Sequence, residues 1–124
     1  MKKIIYYIDD EPDILSFASG YFGKRNFIVK TFQDGEVVLK AMQSETPDLV
    51  MTDFRREGLA GIEFLELLQD TRSKGAKIIL VSGCVNQQLN NEVNHLVDGM
   101  LSKPLTLCDL LRITNHLAYN EDLV

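Results

Sequence analysis

Two short runs, "DLVMTD" at 48–53 and "KIILVS" at 77–82, constrain the fold more than anything else in this chain. Both are apolar without the in–out alternation of a half-solvated strand. Strands that read this way are covered on both faces, which is the situation of a parallel sheet packed between helices. "KIIYYI" at 3–8, "FIVKTF" at 27–32 and "DGMLS" at 98–102 supply three further strands. Helix-period segments lie between them. Pro12 suits the first turn of a helix over about Asp13 to Lys24, because its missing N–H would have no partner there. Asp34 can cap a second helix carrying Val37, Val38, Ala41 and Met42. Ile62, Phe64, Leu65 and Leu68 form the stripe of a third. Leu89, Val93 and Leu96 mark a weak and polar fourth over 86–96. Leu107, Leu110, Leu111, Thr114 and Leu117 follow the i, i+3, i+4, i+7, i+10 pattern of a fifth.

Five strands alternating with five helices predict a doubly wound α/β fold with right-handed crossovers. A chain of 124 residues with no linker, repeat or low-complexity segment reads as one domain over 1–124. Net charge is −5, so no basic footprint for nucleic acid or an anionic membrane is present. The apolar run after Lys2 and Lys3 is too short for a signal peptide or a membrane span. Cys84 and Cys108 form no CxxC and no Cys/His cluster, which reads as two reduced thiols in a cytoplasmic protein. Tyr6 and Tyr7 read as strand packing with their hydroxyls satisfied. His95 and His116 have no ligand-spaced partner.

In doubly wound folds ligands sit at the carboxyl ends of the strands. Those ends carry Asp9, Asp10 and Glu11 after the first strand, Asp53 on the third, Ser82 on the fourth and Lys103-Pro104 after the fifth. Crowded carboxylates repel, and a cation relieves them. Hard oxygen donors suit Mg²⁺, which takes one or two carboxylates and phosphate oxygens, while a lysine pairs with a carboxylate or phosphoryl oxygen as a point charge. This set of groups suits a phosphoryl group carried on a carboxylate. Glu11 reads instead as part of the solvated helix start.

These residues resemble the receiver domain of bacterial two-component response regulators, the chemotaxis-regulator-like fold. The carriers are "IDDE" at 8–11, "DLVMTD" at 48–53, "GIEFL" at 61–65, "ILVSG" at 79–83 and "LSKPL" at 101–105, in order along nearly the whole chain. The resemblance implies a flavodoxin-like strand order 2-1-3-4-5. It implies Asp53 as the phosphoacceptor, Asp10 as a direct metal ligand, Asp9 as a ligand through water and the Arg55 backbone carbonyl as a further ligand. The metal it implies is Mg²⁺, with Mn²⁺ as a substitute. Ser82 resembles the switch hydroxyl, Lys103 the lysine on the phosphoryl group, and Pro104 the position where the family often has a cis peptide.

The implied partners are a sensor histidine kinase or histidine phosphotransfer protein and a downstream effector or attached output domain. No direct nucleic acid binding and no membrane attachment are expected. Signalling, and any dimerisation, would run through the face of the fourth helix, fifth strand and fifth helix. Such a domain catalyses only its own phosphorylation and dephosphorylation.

Two departures stand out. Arg56 and Glu57 replace the family's usual Met-Pro, and Met100 stands where the family often has an aromatic that swings inward with the hydroxyl. They favour one rival, a degenerate receiver that binds partners without phosphorylation, although none of its signs in the acidic pair, acceptor or lysine is present. A Mg²⁺-dependent phosphohydrolase with an aspartyl nucleophile would need an acid where Arg55 stands. No GxGxxG or GxxxxGK[ST] supports a nucleotide-binding fold.

Overall fold

The computed structural model describes residues 2–54, 61–83 and 86–119. Along these the order is β1 (Ile4–Ile8), α1 (Pro12–Gly23), β2 (Ile28–Phe32), α2 (Gly35–Ala41), β3 (Leu49–Asp53), α3 (Ile62–Leu67), α4 (Gln69–Ser73), β4 (Lys77–Ser82), α5 (Gln87–Val93), β5 (Gly99–Ser102) and α6 (Leu107–Tyr119). The five strands form one parallel sheet in the order β2-β1-β3-β4-β5, as expected. The third crossover helix runs in two pieces, α3 and α4, separated at the fully buried Leu68. α5 and α6 are therefore the fourth and fifth helices of the sequence reading.

Strand periodicity divides the core into two layers. Ile5 and Tyr7 of β1, Leu49 and Met51 of β3, and Ile79 and Val81 of β4 face α1 and α6, where Leu15, Ala18, Phe22, Leu110 and Ile113 meet them. Tyr6, Ile8, Val50, Ile78 and Leu80 face the other way, against Val38, Phe64, Leu65, Leu68, Leu89 and Val93. With both faces covered, β1, β3 and β4 are almost wholly buried, which is why they lack alternation. β2 is an edge strand and leaves Ile28 partly in solvent.

Local signals set the helix starts. Pro12 occupies the first turn of α1, and Asp34 caps α2 by accepting the Glu36 N–H at 2.9 Å. Thr106 and Asp109 exchange reciprocal bonds at the start of α6, where the Asp109 carboxylate accepts the Thr106 N–H and the Thr106 Oγ1 accepts the Asp109 N–H.

Several helix faces depart from expectation. In α6 the buried residues are Leu110 and Ile113, whereas Leu107 and Leu111 are 63% and 50% exposed. Leu107 opens the helix, and Leu111 is one 100° step past Leu110 and out of the contact. Val37 and Ile62 likewise point outward from the first turns of α2 and α3, so the cores of these helices are Val38 with Met42 and Phe64 with Leu65. Leu89, Val93 and Leu96 are buried as read.

Candidate functional site

β1 and β3 pair through Ile8 and Thr52, and the Asp9 N–H continues the ladder on the other side to the Phe32 carbonyl at 3.0 Å. This sets Asp9 beside Asp53 at the carboxyl edge of the sheet. Asp9 is fully buried, Asp53 is buried and Asp10 is exposed. Each offers an oxygen within 4.8 Å of the others. Three hard carboxylate donors at this spacing fit a small divalent cation.

Lys103 enters from the far side of the sheet. Its N–H donates to the Ser82 carbonyl at 2.9 Å, which ties the residue after β5 to the end of β4. The Lys103–Pro104 peptide is cis. The ammonium, 15% exposed, lies 3.1 Å from Asp53 Oδ1, 2.9 Å from Asp9 Oδ2 and 3.9 Å from the exposed Glu11. Its contact with Asp9 is an ion pair without the direction of a hydrogen bond, since Asp9 Oδ2 finds no well-aligned donor among the described residues. Asp9 Oδ1 accepts the Glu11 N–H at 3.0 Å.

Burial pushes the Asp53 carboxyl above the usual carboxylate range. The Lys103 bond opposes that shift, and the charges of Asp9 and Asp10 reinforce it. For Lys103, burial favours the neutral amine, but the adjacent Asp9 and Asp53 carboxylates outweigh it and hold the ammonium above its ordinary value. Among the described residues the site is thus a buried carboxylate, crowded by two others and held beside one cation. Such a carboxylate can attack an electrophilic phosphoryl group, whose added negative charge the ammonium and a divalent cation would offset.

The structure brings Asp9, Asp10, Asp53, Ser82 and Lys103 to one sheet edge. Ser82 is buried and pairs with Ser102 across β4 and β5. Met100 is half-buried and packs on the layer that includes Leu89, Val93 and Leu96. Arg55, Arg56, Glu57 and Cys84 lie outside the described residues. Tyr6 meets its expectation, donating its hydroxyl to Glu45 Oε1 at 2.6 Å. Tyr7 does not, because its buried hydroxyl has no hydrogen-bond partner among the described residues. Paired tyrosines inside a strand buried on both faces were the available signal, since each puts a polar atom into the core.

The family model for the response regulator receiver domain matches residues 5–115, and the chain belongs to that family. Among curated proteins it is 26% identical over 117 residues to hybrid signal transduction histidine kinase D of Dictyostelium discoideum, covering 92% of this chain and 8% of that protein. It is 33% identical over 72 residues to the alkaline phosphatase synthesis transcriptional regulatory protein PhoP of Bacillus subtilis, covering 58% of this chain and 30% of that protein. The chain thus spans less than a third of the length of either relative.

Among solved structures, a CheY-like response regulator receiver domain protein from Methanospirillum hungatei superposes with a TM-score of 0.83 at 23% identity, covering 94% of each chain. The chemotaxis protein CheY4 of Vibrio cholerae superposes with a TM-score of 0.83 at 20% identity, covering 94% of this chain and 98% of that one. Both share the fold. The chain is a receiver domain of two-component signal transduction, and phosphoacceptor function fits its acidic edge. Among the described residues no helix is long and apolar enough to cross a membrane.

Proposed function

We propose that residues 1–124 act as one receiver domain that accepts a phosphoryl group on Asp53. The observation that carries this reading is the Lys103 ammonium 3.1 Å from Asp53 Oδ1, with Asp9 and Asp10 oxygens grouped on the same carboxylate. A carboxylate oxygen of Asp53 attacks the phosphorus of a phosphohistidine on a sensor kinase or phosphotransfer protein. The O–P bond forms as the P–N bond breaks, and the departing imidazole nitrogen takes a proton. Lys103 follows the negative oxygens of the transferred group. Asp10 directly, and Asp9 through water, would hold Mg²⁺ together with Asp53, and Mg²⁺ when bound supplies charge neutralisation at the phosphoryl oxygens.

Ser82, beside Asp53 at the end of the adjacent strand, is the hydroxyl placed to answer the new charge. The response passes to the face of α5, β5 and α6, where Met100 takes the place of an aromatic reporter. That face meets a downstream effector, an attached output domain or a second copy. Hydrolysis of the acyl phosphate resets the domain, which turns over no separate substrate. A cytoplasmic location follows from the kinases such domains serve.

Incubation with acetyl phosphate, with and without Mg²⁺, followed by intact mass, tests this reading. One Mg²⁺-dependent phosphoryl gain, absent in Asp53→Asn, is the expected result. No gain in the wild-type chain would overturn it.

A further inference from the structure

Tyr7 lies one same-face step before Asp9 on β1. Its ring packs in the α1/α6 layer with Leu15, Met51 and Val81, and the residue is fully buried. Its strand partner Met51 stands in the same relation to Asp53. The phenol therefore belongs to the layer immediately beneath the acidic edge, and the charges of Asp9, Asp53 and Glu11 all reach its hydroxyl.

Two buried oxygens here lack a well-directed partner among the described residues, and they are complementary. The Tyr7 hydroxyl can donate, and Asp9 Oδ2 can only accept. A phenylalanine would pack the same layer without burying an unpaired hydroxyl, so packing alone gives no reason for tyrosine. Lys103 now divides itself between Asp9 and Asp53. If it is to follow a phosphoryl group on Asp53, its hold on Asp9 must loosen. Asp9 Oδ2 would then be a buried anionic oxygen in need of another donor.

We infer that Tyr7 is a positioning residue whose hydroxyl takes Asp9 Oδ2, directly or through one trapped water, and so frees Lys103 to move to the phosphoryl group on Asp53. The inference rests on the acceptor function proposed above. Tyr7 touches neither the phosphoryl donor nor the reacting atoms. It acts through Asp9.

The test is the rate of loading from acetyl phosphate in Mg²⁺, followed by intact mass, for wild type, Tyr7→Phe, Lys103→Ala and the double variant, with melting temperatures alongside. Tyr7→Phe slows loading about tenfold, the scale of one hydrogen bond to a charged group, while its melting temperature does not fall. In the Lys103→Ala background the same change adds nothing further, because the hydroxyl acts only by releasing that lysine. In the Lys103→Ala chain, where Asp9 has lost its lysine, proton NMR shows a protected Tyr7 hydroxyl signal that disappears when Tyr7→Phe is added and shifts when Asp9→Asn is added.

Equal slowing in both backgrounds would mark a purely structural residue and overturn the inference, as would a hydroxyl signal indifferent to Asp9→Asn. A wild-type chain that takes no phosphoryl group would overturn the acceptor function and this inference with it. Tyr7→Phe loading as fast as a competent wild type would overturn only the role of Tyr7.

Discussion

Lys103 Nζ and Asp53 Oδ1, from opposite parts of the chain, stand 3.1 Å apart, and the same ammonium is 2.9 Å from Asp9 Oδ2. One cation thus offsets two buried carboxylates. Removing it with Lys103→Ala leaves both without their counter-ion, and breaking such a pair is costly. Without divalent cation the variant loses about 3 kcal/mol of stability, measured by urea unfolding. Millimolar Mg²⁺ raises its melting temperature more than that of the wild type, because bound cation then carries the whole neutralisation.

Asp53 gives a pH dependence whose sign can be worked out. Its folded pKa lies above the unfolded value, so the folded state binds more protons between the two. The contribution of Asp53 is therefore most favourable below the ordinary carboxylate pKa and is lost as pH rises through the raised one. In Mg²⁺-free buffer Asp53→Asn melts higher than the wild type at neutral pH. The gap closes below about pH 4, where the wild-type carboxyl is itself neutral in both states. A gap independent of pH would contradict this account.

The opposite sign holds at the other end of the sheet. Glu45 Oε1 accepts from Lys30 Nζ at 2.8 Å and from the Tyr6 hydroxyl at 2.6 Å, and these bonds, Lys30's first, hold the carboxyl below its ordinary range. This contribution is present above the unfolded carboxylate pKa and is lost as pH falls through the depressed one. Tyr6→Phe costs about 1 kcal/mol at neutral pH, and the cost shrinks in acid. Paired denaturation curves at the two pH values check it.

Gln69 opens α4 just beyond the break at Leu68, and its amide donates both to the Leu65 carbonyl at 2.8 Å and to the Leu96 carbonyl at 3.0 Å. Two backbone groups, one before the break and one leading into β5, depend on one side chain. Gln69→Ala costs about 1 to 2 kcal/mol. Native-state hydrogen exchange should speed up for the amides of Leu96, Val97 and Asp98 more than for those of β1.

The sheet could be read in the sequence because residues 49–53 and 77–82 are covered on both faces, and such coverage leaves an unbroken apolar run. The carboxyl-edge residues could be read for a related reason, since charge directly after such a run has no place in a core. The faces of α2, α3 and α6 were less legible. Their apolar stripes include residues in first turns that overshoot the sheet, so Leu107, Val37 and Ile62 carry the pattern without the burial. The paired tyrosines signal two polar atoms in the core, but which of the two hydroxyls finds a partner was illegible, because that is decided by neighbours from other strands and helices. Tyr6 has the same residue type, strand and burial, but it faces the other layer of the core, where Glu45 meets its hydroxyl.

The strand order has a consequence for a chain still being made. Asp9, Asp10 and Asp53 all precede the lysine that offsets them, which follows the last strand at the sheet's far edge. A nascent chain that has left the ribosome through β4 holds the whole anionic cluster without the lysine that pairs with Asp9 and Asp53. Its β1–β3 centre would close against its own repulsion until Lys103 emerges, unless a cation from the surroundings stands in. Divalent cation present during translation would then influence how soon the growing sheet becomes compact, before any signal has been received.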